Sequence, residues 1–249
     1  MRIRAVVAVA ALALAAMAAA ACGSGRGLFR QYEYEEEIYL SLDGTATMYV
    51  NSSIAALNAL RGTSFDASPI ARIDRQRVRE YFSSPNTHVT GFSTSRRSNR
   101  QFVHVRMDVD DVRRLPETMP FSWSRYEFKR DGNLFIYRQT IGAAAAGKRD
   151  AGPAGWNGRE TVAFRLHLPS KVAYHNTGRG VGRGNILVWE QPLTDRLRGV
   201  PLTLDARMET QSILFRTLYL FGLTFVAVAF TFALVIWWVL RKGAKTAEG

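Results

Sequence analysis

Arginine and glycine share the spacing in this sequence most suited to chemistry. Residues 177–184 read Thr-Gly-Arg-Gly-Val-Gly-Arg-Gly, which sets Arg179 and Arg183 among alternating glycines. Backbone N–H groups and two guanidinium groups in such a loop can hold a phosphate. The loop falls between two short strands and lacks the helix N-terminus that strengthens phosphate sites, so a plain hairpin tip is the competing reading. A second arginine set, Arg72, Arg75, Arg77 and Arg79, recurs through an expected helix. Those side chains either meet anionic headgroups or form a solvated face. The candidate anionic-ligand residues are Arg72, Arg75, Arg79, Arg179 and Arg183.

Other chemistry finds no support. The patterns G-x-S-x-G, G-x-x-x-x-G-K-[ST] and H-E-x-x-H are absent, as is a dinucleotide glycine loop between strand and helix. His88, His104, His167 and His175 show no i,i+4 pairing on an expected helix and read as structural or surface residues. Asp108, Asp110 and Asp111 lack the glycine and closing glutamate of a calcium loop; the last two read as a cap. The run Glu35, Glu36, Glu37 reads as a strand face before it reads as a cation site. The one cysteine, Cys22, excludes an internal disulfide and a CxxC motif. No catalytic residue, metal site or cofactor is assigned, and the chain is not expected to be an enzyme.

The termini set the context. Arg2 and Arg4 precede an alanine-rich apolar run, which makes residues 1–21 a secretory signal peptide. Cys22 is the lipid-anchor candidate: either it is the acylated first residue of a lipoprotein, or cleavage after Ala21 leaves an ordinary exported chain. Residues 217–240 carry no charge and are long enough to cross about 30 Å of hydrocarbon. Trp237 and Trp238 sit at one end of that stretch, and Arg241, Lys242 and Lys245 follow. By the positive-inside rule the tail 241–249 is cytoplasmic and the domain between the two apolar segments is outside. The expected location is a bacterial cell membrane, crossed once. Residues 23–216 keep 28 basic and 20 acidic side chains, a net of +8 within a chain total of +12. Such a balance favours anionic surfaces. No nucleic-acid partner is expected.

Between the termini, residues 27–210 form one extracytoplasmic domain. Residues 31–42 alternate as a half-buried strand, with Tyr32, Tyr34, Ile38 and Leu40 on one side and Glu36 breaking the apolar phase. Asp43-Gly44 turns the chain into a second strand through Val50. A helix follows from caps at 51–53 to Gly62, with Ile54, Leu57 and Leu60 as its stripe. A second helix is expected from Ser68-Pro69 to about Phe82. Strands dominate afterwards, including hairpins near 96–100 and at Asp131-Gly132, and a last strand from Val200 to Met208. Residues 142–158 read as a flexible Gly/Ala-rich loop whose Trp156 either inserts into lipid or covers an edge. The class is α+β: a mainly antiparallel sheet, two helices in the first half, and one C-terminal transmembrane helix.

The run Val162-Ala163-Phe164-Arg165-Leu166-His167-Leu168-Pro169-Ser170-Lys171-Val172, then Asn176, then Ile186-Leu187-Val188-Trp189-Glu190, has a recognisable shape. An apolar strand ends in Leu-Pro, an Asn follows, and a Trp-bearing strand comes after a glycine turn. With the acid-rich first strand, the early helices and the C-terminal apolar segment, this resembles the LppM-like domains of bacterial envelope proteins. The resemblance implies an export or lipoprotein signal, a membrane helix and a lipid-binding fold, with envelope glycolipids as the associated ligands. It brings no catalytic motif. Ala19 in place of the usual lipobox leucine and the insertion 142–158 depart from that pattern.

Two functions are therefore expected to compete. One is a membrane-anchored binding module for lipid headgroups, an envelope glycolipid or another anionic envelope component. The other is a structural subunit that docks on an envelope protein, with Ala229 and Ala233 permitting close helix packing. An enzyme with an unrecognised site is a third reading.

Overall fold

The structure, a computed structural model, describes residues 32–145 and 155–246. Cys22, the expected signal segment and the middle of the 142–158 insertion lie outside those residues.

Among the described residues, ten strands form two sheets. The first takes β1 (Tyr34–Leu40), β2 (Ala46–Ser53), β3 (Thr87–Arg97), β4 (Arg100–Val109), β7 (Thr161–His167) and β9 (Ile186–Pro192) in the order β3-β4-β2-β1-β7-β9. The second takes β5 (Ser124–Asp131), β6 (Leu134–Ile141), β8 (Ser170–His175) and β10 (Leu202–Ser212) in the order β5-β6-β10-β8. Every neighbouring pair is antiparallel except β1 and β7, which run parallel with Glu37 opposite Arg165. The class is the expected α+β with mainly antiparallel pairing.

Alternation along the strands builds the core. Tyr34, Ile38, Met48, Val50, Val105 and Phe164 of the first sheet join Tyr126, Tyr137, Leu204 and Met208 of the second in one buried cluster. The inner phase of β1 includes Glu36, only 1% exposed. The residue that breaks the apolar alternation is thus held inside the protein.

Helix α1 (Ile54–Arg61) starts at Ser53, whose hydroxyl accepts the N–H of Ala56, and ends at Gly62 with φ 68°. Only glycine adopts that left-handed cap without strain. The expected stripe of Ile54, Leu57 and Leu60 is widened in the fold, because Ala55, Ala56 and Ala59 are buried too. Small side chains let neighbouring elements approach both flanks.

Helix α2 (Arg75–Phe82) is shorter than expected. Asp74 caps it by accepting the N–H of Arg77. The carbonyls of Ser68 and Ala71, which a helix begun at Pro69 would use, accept instead from Gln101 Nε2 at 2.5 and 2.7 Å. Arg72 therefore precedes the helix and does not lie on its face. Two short 3-10 segments, Val112–Glu117 and Met119–Phe121, follow β4, and Asp111 caps the first as expected. An unexpected five-residue helix, α3 (Leu193–Leu197), follows β9. It is too short to show a helical period in sequence.

The last strand extends past Met208 to Ser212 and passes directly into α4 (Ile213–Thr246). At 1.5 Å per residue its 34 residues span about 50 Å. The stretch Ile213–Trp238 is long and apolar enough to cross a membrane. It begins four residues before the expected segment, because Ile213 to Arg216 continue the helix on the domain side.

Candidate functional site at the root of the apolar helix

The three-residue corner Leu168-Pro169-Ser170 carries the chain from β7 in one sheet to β8 in the other. Its backbone is gripped from two sides. Leu168 N–H donates to the carbonyl of Asn185 (3.2 Å), and Asn185 Nδ2 donates back to the carbonyl of Ser170 (2.9 Å). On the other side Ile213 N–H donates to the carbonyl of Pro169 (3.1 Å). Asn185 closes the glycine–arginine loop and Ile213 opens α4. The strand register thus places the loop 177–184 and the start of the apolar helix on one corner.

Gly184 and Asn185 both have positive φ, 77° and 56°, and Gly182 N–H bonds the carbonyl of Ile186 (2.9 Å). The loop returns tightly before β9. Within it the two candidate arginines differ. Arg179 is engaged: its Nη1 and Nη2 reach both carboxylate oxygens of Glu190 at 3.4 and 2.8 Å. Arg183 is exposed and forms no ion pair among the described residues.

A groove of about 650 Å³ opens beside Gly184 at the ends of β1, β4 and β7. Tyr39, Thr45, Thr47, Asp108, Asp110 and His167 line it. Tyr39 is 42% exposed and its ring stacks on His167 with 3.8 Å between centroids. His167 Nε2 lies 2.6 Å from Glu37 Oε1, which fixes the imidazole under the tyrosine. That bond holds the Glu37 carboxyl below the usual carboxylate range. The lining offers hydroxyls, two carboxylates and one aromatic face.

The remaining arginine candidates lie elsewhere. Arg75 and Arg79 flank Phe92 of β3, with guanidinium carbons 5.2 and 5.9 Å from its ring centre. Arg75 Nη2 also donates to the Phe92 carbonyl at 3.3 Å. Arg72 is exposed ahead of α2. β3 and β9 are the two edge strands of the six-stranded sheet. Arg72, Arg75 and Arg79 therefore do not join Arg179 and Arg183 in one site.

The acidic run is more structured than a solvated strand face. Glu35 forms a 2.8 Å ion pair with Arg165 and accepts Asn51 Nδ2 at 3.0 Å. Asn51 Oδ1 lies 2.9 Å from His104 Nδ1, and His104 Nε2 lies 2.8 Å from Ser95 Oγ. A polar chain thus crosses β3, β4, β2, β1 and β7. Burial pushes the Glu35 carboxyl up, and burial with nearby Arg97 pushes His104 down. His88 lies 3.1 Å from Asp110. Trp156 covers the start of β1, with Nε1 3.3 Å from Glu33 Oε2. Among the described residues, no group of three His, Cys, Asp or Glu is arranged to hold a metal ion.

Sequence reading missed one polar cluster entirely. Glu36 accepts from the Tyr34 hydroxyl at 2.5 Å, the Tyr126 hydroxyl at 3.3 Å and Gln139 Nε2 at 3.1 Å, and lies 3.8 Å from Arg61 Nη2. The two sheets are joined through this carboxylate. The signal was present, since an acid in the apolar phase of a strand needs buried partners. Tyr34 is a neighbour on the same strand, but Tyr126, Gln139 and Arg61 come from three distant elements that spacing does not connect.

Comparison with solved structures adds one relationship. The folded domain of LppM from Mycobacterium tuberculosis, solved by NMR, aligns with 75% of this chain and 95% of its own, at 14% identity and a TM-score of 0.41. The chain resembles an LppM-like domain. At that score the likeness to LppM supports no residue-level transfer. No family model and no curated protein matches the chain.

Proposed function

We propose that this chain is a single-pass, membrane-anchored binding module of the bacterial envelope. Its domain lies outside the cytoplasm and its tail inside, and it contacts the headgroup of an anionic, hydroxyl-bearing lipid. It acts by binding and not by catalysis. The supporting observation is the shared corner: Asn185 and Ile213 both bond Leu168-Pro169-Ser170, so the arginine loop sits where the apolar helix leaves the domain. A helix in the bilayer would hold that loop at headgroup depth. Arg183 would meet the anionic group, and the hydroxyls and Tyr39 face of the groove would meet the remainder. The ectodomain net of +8 favours the same surface.

The test is hydrogen–deuterium exchange on the full chain in nanodiscs of neutral phosphatidylcholine and of phosphatidylcholine with phosphatidylglycerol. Amides of 177–184 are expected to exchange more slowly in the anionic discs, and Arg183→Ala to remove most of that difference. Equal exchange in both lipids overturns the reading.

A further inference from the structure

A second cluster lies away from the helix root, in the cleft between α1 and α2. The cleft has a volume of about 340 Å³ and is lined by Arg61, Ser64, Phe65, Arg77, Tyr81 and Met119, among others. Arg61 is among its lining residues, and its buried guanidinium lies against Trp123 and Glu36. The Arg61 side chain is 2% exposed, yet among the described residues its Nε and Nη2 make no hydrogen bond. The buried Tyr81 hydroxyl makes none either.

Charge near the cleft is unbalanced. Arg61 lies over one side of the Trp123 ring at 3.6 Å, and the fully buried Arg196 approaches the same ring at 5.8 Å. Arg196 Nε and Nη1 also lack hydrogen-bond partners among the described residues. Among the described residues, the carboxylate paired with Arg61 is the buried Glu36, at 3.8 Å. Buried charge left unmatched is costly, and unfilled N–H and O–H donors add to that cost. The natural complement is a group with several acceptor oxygens and negative charge.

We propose that the α1–α2 cleft binds a phosphate group, with Arg61, Arg77 and Tyr81 as its ligands. Arg77 stands at the mouth, exposed, with Nη2 3.2 Å from Ser64 Oγ and its guanidinium 5.4 Å from the Phe65 ring. Arg61 and Arg77 come from different helices, so they approach the cleft from two directions. That suits a tetrahedral anion with three acceptor oxygens better than a planar carboxylate. Glu80, the one acid in the lining, accepts Gln76 Nε2 at 2.8 Å. Phe65 and Met119, the latter 75% exposed, give the site an apolar flank. The phosphate is either free or part of a lipid headgroup. This assignment does not rest on the headgroup role given to Arg183.

Calorimetric titration of the full chain in a non-ionic detergent tests it, with inorganic phosphate and, separately, dihexanoyl phosphatidic acid below its micellar concentration. No anionic bilayer is present, which separates the outcome from that of the nanodisc experiment. Saturable binding of at least one probe is expected, weakened about tenfold by Arg77→Ala and by Tyr81→Phe, each removing one charge-assisted hydrogen bond. Circular dichroism confirms that both variants stay folded. Equal affinity for the two probes identifies free phosphate as the ligand. Tighter binding of the lipid, reduced by Met119→Ser, identifies a lipid headgroup. Absence of saturable binding by either probe, or affinities unchanged in both variants, overturns the proposal.

Discussion

Arg61 lies over the Trp123 indole, its guanidinium carbon 3.6 Å from the ring centre, with the side chain nearly fully buried. Its Nε and Nη2 lack hydrogen-bond partners among the described residues, and the guanidinium is held by the Trp123 π face and by Glu36, 3.8 Å away. Cation–π contacts gain strength when desolvated, reaching about 2 kcal/mol. The arrangement gives the domain a polar centre on which both sheets depend.

Glu36→Ala should therefore be severely destabilising. It leaves Arg61 without its nearest carboxylate and removes the acceptor shared by Tyr34, Tyr126 and Gln139. Breaking a buried pair from one side costs about 3–5 kcal/mol. Glu36→Gln keeps one acceptor oxygen and should cost less. Thermal unfolding of the full chain in detergent, followed by near-ultraviolet circular dichroism, ranks the two. A Glu36→Ala protein as stable as the parent would refute the role.

Gly62→Ala should cost about 1–2 kcal/mol, because it forces a left-handed φ on a residue with a Cβ. The added carbon would also lie 3.0 Å from Ala145 Cβ. Since Gly62 adjoins Arg61, the same change should weaken any ligand of the α1–α2 cleft. Unfolding temperature reports the first effect and titration the second.

Asn185 combines a positive φ of 56° with a side-chain bond to Ser170. Asn185→Gly loses the bond and relaxes the backbone; Asn185→Ala loses the bond and keeps the strain. The alanine variant should be the less stable of the two, by about 1 kcal/mol. Hydrogen exchange at Leu168, whose N–H donates to Asn185, should rise in both. Unchanged exchange there would mean that the corner does not depend on Asn185.

His104 supplies a pH dependence. Its pKa is depressed in the fold by burial and by Arg97, so the unfolded chain takes up a proton before the folded one does. The stability it confers is complete above the unfolded histidine value of about 6.5 and falls as pH drops below it. His104→Gln should flatten the stability profile between about pH 7 and pH 5. Parallel profiles for parent and variant would contradict this assignment.

Sequence alone determined the local features, each fixed by neighbours along the chain. Period-two alternation gave the strands, Ser53 and Gly62 the limits of α1, Asp-Gly pairs the hairpins, and an uncharged run the apolar helix. These signals act over a few residues, where backbone sterics and burial leave little choice. The tertiary structure alone decided which distant residues meet. It paired β1 with β7 in parallel, buried Glu36 beneath Arg61, took the Ser68 and Ala71 carbonyls for Gln101, and set Arg75 and Arg79 on the opposite sheet edge from Arg179. Long-range strand pairing carries no local code, because register is settled by burial summed over both sheets. For that reason the arginine loop was legible as a motif, while its place at the root of the apolar helix was not.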